Sequence, residues 1–169
     1  KINESCMLIA EKCERKRDFQ MLHMTGESQY ERVIELYKER NIPTNTSYLK
    51  VVPYIHNAPY AYAAADLLIS RCGAGLISEI TVLGKPSILI PYPYATDNHQ
   101  EYNARALEKS NAAIVILESE LDERTLLQNV KYLFDNKDKM KEMADNSKKL
   151  GKADATSSII KIIEALLYS

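Results

Sequence analysis

Ala65-Asp66-Leu67-Leu68-Ile69-Ser70-Arg71-Cys72-Gly73-Ala74-Gly75-Leu76-Ile77-Ser78-Glu79-Ile80 is the stretch on which the fold turns. Leu67 to Ser70 is a short apolar run of strand type, Gly73 and Gly75 make a tight turn, and a helical pattern starts at once. Glycines there let the backbone approach a ligand closely, and a helix N-terminus presents free N–H groups that suit an anion. Glu79 stands four residues after Gly75, one turn along the same helix face. Its carboxylate can accept hydrogen bonds from two adjacent hydroxyls, as a ribose diol offers them. Arg71 falls at the carboxyl end of the strand, where ligands collect in open α/β sheets. The combination points to a nucleotide site. The same pattern also fits a ligand-free strand–turn–helix junction, and Glu79 also fits a first-turn acid that complements the helix dipole.

Upstream, Ile2, Cys6, Leu8, Ile9 and Cys13 recur at helical spacing and run into a charged tail ending at Arg17. Phe19 to Thr25 alternates as a strand and closes at Gly26. Glu27 to Arg40 reads as an amphipathic helix with Val33, Ile34 and Tyr37 inward, stopped by Asn41-Ile42-Pro43. Tyr48 to Tyr54 reads as a second strand, and Tyr60 to Ala65 as a short helix after Pro59. Downstream, Leu83-Gly84-Lys85-Pro86 is a helix stop and Ser87 to Pro91 a buried strand. A polar loop, Tyr92 to Gln100, leads to a helix over Glu101 to Lys109 and a last strand over Ala112 to Leu117. Ser119-Glu120-Leu121-Asp122 resembles a capping box for a helix over Glu123 to Asp135. Two more helices follow, Asp138 to Leu150 and Ala153 to Leu167, the last with Ile159, Ile160, Ile163 and Leu166 on one face.

Short apolar strands alternating with helices predict an α/β domain with a Rossmann-like, doubly wound parallel sheet covered on both faces. Such a sheet should begin with a strand and a phosphate-binding loop ahead of Lys1, so the chain reads as a piece of a longer protein. The 169 residues suffice for one domain with a sizeable core. A net charge of −1, with no aromatic–basic interleaving, argues against a nucleic-acid partner. Cys6, Cys13 and Cys72 form no CxxC pair, which argues against a zinc site or disulfide framework and for a reducing compartment. Cys6 and Cys13 have core-face spacing, and Cys72, in the turn, has no evident base to activate it as a nucleophile.

Three patterns recur in order: Asp66, Arg71, Gly73-Ala74 and Ser78-Glu79-Ile80; then Gly84-x-Pro86; then Ile90-Pro91-Tyr92-Pro93, Asp97-x-His99-Gln100 and Asn103-Ala104. In that order and spacing the sequence resembles the MurG family of N-acetylglucosaminyltransferases. The resemblance runs from about Ile2 to Leu167 and covers the carboxyl-terminal, nucleotide-sugar-binding half. It implies a GT-B architecture, two Rossmann-like domains around a cleft, with residues 1–169 as the domain that binds UDP-GlcNAc. It implies that the Ile55 backbone contacts uracil, that Ala74, Gly75 and Leu76 carry ribose and phosphates, and that Glu79 holds the ribose. It implies that His99 and Gln100 touch the GlcNAc hydroxyls. Arg71 and Asn103 match positions near the site, each as a ligand contact or a support.

The implied reaction is inverting transfer of GlcNAc to lipid I, giving lipid II for peptidoglycan, at the cytoplasmic face of the bacterial membrane. No cofactor is implied. The acceptor site and general base would belong to an amino-terminal domain. The sequence carries no Asp-x-Asp motif, so no divalent metal is expected. Two rival readings stand beside this one. One is the nucleotide-sugar-binding subunit of a split eukaryotic GlcNAc-transferase, which needs a partner chain. The other is a hydrolysing or epimerising UDP-GlcNAc enzyme of the same superfold.

Overall fold

The structure is a computed structural model that describes residues 1–167. Five short strands alternate with helices: β1 Met21–Met24, β2 Leu49–Val52, β3 Leu68–Ser70, β4 Ser87–Leu89 and β5 Ala113–Val115. The helices are α1 Ile2–Ser5, α2 Met7–Lys16, α3 Tyr30–Glu39, α4 Ala58–Ala64, α5 Ala74–Leu83, α6 His99–Lys109, α7 Glu123–Asp135, α8 Lys137–Leu150 and α9 Ala155–Leu167. Every strand pair is parallel: Met21 lies opposite Leu49, Leu68 opposite Ser87, and Ser87 opposite Ala113. The strands are shorter than their apolar runs suggest. Pro53 and Pro91 have no N–H to give a ladder, and they close the segments that contain β2 and β4.

The expectation of one continuous doubly wound sheet needs correcting. The described residues form two parallel sheets, β1–β2 and β3–β4–β5, with no ladder between β1 and β3. Both facing strands nevertheless serve one core. Met21 of β1 and Ile69 of β3 pack against a cluster holding Cys6, Ile9, Ile88, Ile90, Leu126, Val130 and Leu133. On β4 the pleat alternates faces: Ile88 joins that cluster, whereas Leu89 joins a second one with Cys72, Ile80, Ala104 and Leu107. The three-stranded sheet is thus covered on both faces. A third cluster packs Met7, Val33 and Tyr37 on Leu49 and Val51, while Leu22 and Met24 on β1 are exposed.

Two local expectations also change. The cap of α7 is Asp122, whose Oδ1 accepts from the Thr125 N–H at 2.7 Å, so the capping signal lies three residues after Ser119. The helix expected from Glu101 starts at His99 and is preceded by a 3₁₀ turn over Thr96–Asn98, in which Asp97 and Asn98 are left-handed (φ 51° and 53°). The apolar face of α9 is exposed: Ile159, Ile160 and Ile163 pack into none of the three clusters. Among the described residues no helix is long and apolar enough to cross a membrane.

Candidate functional site

The residues singled out from sequence gather at the carboxyl ends of the strands. Helix α5 opens directly after β3 with Gly73 as its N-cap, in extended backbone. The first intrahelical bond runs from Ile77 N–H to Gly73 C=O at 3.1 Å. The N–H groups of Ala74, Gly75 and Leu76 precede it and point out of the helix end. No atom lies within 4 Å of a side chain built on Gly73 or Gly75, so the turn is open to solvent. Glu79, one turn on, is exposed and lines a shallow groove of about 290 Å³ with Pro59, Tyr62, Ser78, Val82 and Leu83. The Tyr62 hydroxyl is held above its ordinary pKa, first by burial and then by the charge of Glu79. Ile55 is half-buried just past the carboxyl end of β2 and does not itself line that groove.

The second half of the site is a set of side chains holding backbone. Gln100 Oε1 accepts from the N–H groups of Cys72 (3.3 Å) and Tyr92 (3.1 Å). Asn103 Nδ2 donates to the Cys72 carbonyl at 3.2 Å. Cys72, between Arg71 and the glycine turn, is therefore gripped through both its backbone groups by α6. Its thiol is buried, which pushes its pKa up to about 11, so no reactive thiolate stands in the turn. The Cys6 and Cys13 thiols are core groups, each raised to about 12 by burial.

His99 begins α6, exposed, with Nδ1 at 2.7 Å from the Thr96 carbonyl. That contact fixes the ring and leaves Nε2 as its other polar atom. Arg71 is more fully engaged. Nη1 donates to the carbonyls of Pro91 (2.9 Å) and Ile90 (3.3 Å), Nη2 lies 2.5 Å from Glu118 Oε2, and the guanidinium carbon sits 5.3 Å from the centre of the Tyr92 ring. Sequence reasoning placed Arg71 at the site but missed Glu118. Glu118 lies three residues beyond β5, at the same carboxyl edge, so its signal was position rather than motif.

Among the described residues, no three His, Cys, Asp or Glu side chains stand close enough together to hold a metal ion. The available binding chemistry is backbone N–H at a helix end, one carboxylate on an apolar groove, and a polar loop beside them.

A parallel α/β fold with a glycine turn and a helix start at the carboxyl edge of its strands has the arrangement of a Rossmann-like domain, and comparison with known proteins narrows the class. The chain matches the crystal structure of Acinetobacter baumannii MurG with a TM-score of 0.79 at 28% identity, over 97% of this chain and 46% of that one. Residues 1–159 match the model of the glycosyltransferase family 28 C-terminal domain, and the chain belongs to that family. It is 44% identical over 168 residues to the UDP-N-acetylglucosamine--N-acetylmuramyl-(pentapeptide) pyrophosphoryl-undecaprenol N-acetylglucosamine transferase of Desulforamulus reducens. That alignment takes in 99% of this chain and 45% of the relative, so the chain spans a little under half the length of the relatives it matches. A UDP-N-acetylglucosamine 2-epimerase shares the fold, with a TM-score of 0.71 at 15% identity over 99% of this chain and 42% of that one.

Proposed function

We propose that the chain is the donor-binding domain of an inverting glycosyltransferase that moves GlcNAc from UDP-GlcNAc to lipid I, forming lipid II. The carrying observation is the open turn at the carboxyl end of β3, followed one turn later by an exposed carboxylate on an apolar groove. Its presence in a chain 44% identical to a named GlcNAc transferase supports the assignment. In this reading the N–H groups of Ala74, Gly75 and Leu76 take the ribose and pyrophosphate side of the donor, and Glu79 accepts from the ribose diol. The Ile55 backbone reads the uracil edge, which offers both a donor and acceptors. His99 and Gln100 face the sugar, with Asn103 and Arg71 beside them.

The contribution of these residues to the reaction is electrostatic and positional. Negative charge builds on the pyrophosphate as its bond to the anomeric carbon breaks, and helix-end N–H groups aimed at that charge stabilise it without reorganising. Holding the anomeric carbon with its opposite face open lets the C4 hydroxyl of the lipid-linked acceptor attack in line. The acceptor, the general base and the contact with the cytoplasmic membrane face belong, in this reading, to an amino-terminal domain of a GT-B protein. A further parallel strand between β1 and β3 would join the two sheets into one doubly wound sheet in the order β2–β1–x–β3–β4–β5, the order of a Rossmann-type domain. The shared core beneath Met21 and Ile69 supports that placement.

The test is an NMR titration of the chain with UDP-GlcNAc, UDP and UDP-GalNAc. Shifts at Ile55, Gly73 to Glu79 and His99 to Gln100, larger with UDP-GlcNAc than with UDP-GalNAc, are expected. Shifts scattered elsewhere, or identical for all three ligands, would refute the assignment.

A further inference from the structure

Glu118 and Arg71 are joined across the full width of the three-stranded sheet. Arg71 leaves the end of β3, Glu118 follows β5, and between them Arg71 Nη1 holds the carbonyls of Ile90 and Pro91 at the end of β4. Glu118 Oε2 is buried and makes no well-angled hydrogen bond, so the ion pair at 2.5 Å is its compensation among the described residues. The backbone of Glu118 is occupied too: its carbonyl accepts from Lys1 Nζ at the start of α1. The side chains are 32% and 22% exposed, so solvent screens the pair only in part. What it fixes is geometry. A guanidinium is a planar fork, and here its prongs set the path of Ile90-Pro91-Tyr92, with the Tyr92 ring close beside the charge.

The Tyr92 N–H in turn is taken by Gln100, so the path of that segment sets the start of α6, where His99 and Gln100 stand. The glycine turn shares the Gln100 contact through the Cys72 N–H but has a second anchor that the loop lacks. It is part of α5, which is anchored from the other side by the Ser147 hydroxyl of α8 donating to the Ile80 carbonyl at 3.2 Å. We propose that Glu118 is a positioning residue: through Arg71 it sets the loop that faces the sugar, and so determines how strongly the site distinguishes a nucleotide-sugar from the nucleotide alone. This rests on the donor-site reading given above.

The experiment compares UDP and UDP-GlcNAc binding by the unaltered chain and by Glu118→Ala and Glu118→Gln. Both variants should lose about tenfold in UDP-GlcNAc affinity, the size of one charge-assisted hydrogen bond, with UDP affinity kept within about twofold. The Tyr92 and Gln100 amide resonances should move in the ligand-free variants. Adding Arg71→Lys to Glu118→Ala should cost less than the two single losses combined, because both changes break one brace. Equal losses for the two ligands, or unchanged discrimination in a folded variant, would overturn the role of Glu118 and leave the donor site standing. Failure of the unaltered chain to bind UDP-GlcNAc would remove both.

Discussion

Lowering the pH from 7 to 4 challenges one particular buried group, His23. It lies on β1, 5% exposed, with Nδ1 at 2.8 Å from the Tyr37 hydroxyl and Nε2 at 3.1 Å from Asn3 Oδ1. An amide oxygen can only accept, so Nε2 carries the proton and Nδ1 accepts from Tyr37: the chain of bonds is complete with a neutral ring. Asn3 also donates to the Thr25 carbonyl, so the network ties α1 to the carboxyl end of β1. Burial lowers the His23 pKa from 6.5 to about 4. Below pH 6.5 the unfolded chain takes up a proton that the folded chain refuses until about pH 4. Stability is therefore complete above pH 6.5 and is lost as pH falls through this window. The difference between the two pKa values corresponds to about 3 kcal/mol, a large share of a typical domain's stability. Urea unfolding of the unaltered chain and of His23→Gln at pH 7, 5.5 and 4 reads the effect directly. The unaltered chain should lose most of that stability between pH 6.5 and 4, and the variant, less stable at pH 7, should show a much flatter dependence. Parallel pH profiles for the two would refute the account.

Glu79→Ala should weaken UDP binding by about 2 kcal/mol, roughly thirtyfold, while leaving the melting temperature nearly unchanged because the side chain is exposed; calorimetric titration and melting together check this. Gly75→Ala should raise stability slightly, by at most about 1 kcal/mol, since a Cβ there meets open space in the free chain and the unfolded chain loses freedom. It should still lose nucleotide affinity, because that space is where the ligand approaches; unchanged affinity would exclude the turn from the site. Gly151→Ala should destabilise by about 1–3 kcal/mol in urea unfolding, as its Cβ would come within 2.7 Å of the Thr81 carbonyl oxygen and 2.8 Å of the Val82 Cα.

The order of elements was legible because the strand segments are short alternating or apolar runs, as at Phe19 to Thr25 and Ser87 to Pro91, and the longer helices carry a periodic apolar face. The turn at Gly73–Gly75 was legible for the same local reason. The roles within the site were less so. Gln100 and Asn103 mark the site in sequence, yet their hold on the backbone of Cys72 depends on how α6 is laid against β3. The Arg71–Glu118 pair depends on the register of three strands, which no local pattern encodes. The left-handed pair Asp97 and Asn98 lies in a loop whose residue types tolerate that conformation without requiring it. The division into two sheets is a matter of hydrogen-bonding partners for β1 and β3, which strand propensity does not report.

That every strand pair is parallel also governs how the chain reaches this structure. A parallel ladder cannot begin at a two-residue turn; each one waits for a whole crossover to close. The entropy of closing that loop is lost before any inter-strand bond compensates for it, so such topologies fold slowly. The crossover through α5, from Leu68 to Ser87, is shorter than those joining Met21 to Leu49 and Ser87 to Ala113. The ladder that creates the turn therefore has the smallest loop-closure cost of the three, and the ligand-facing edge stands on it.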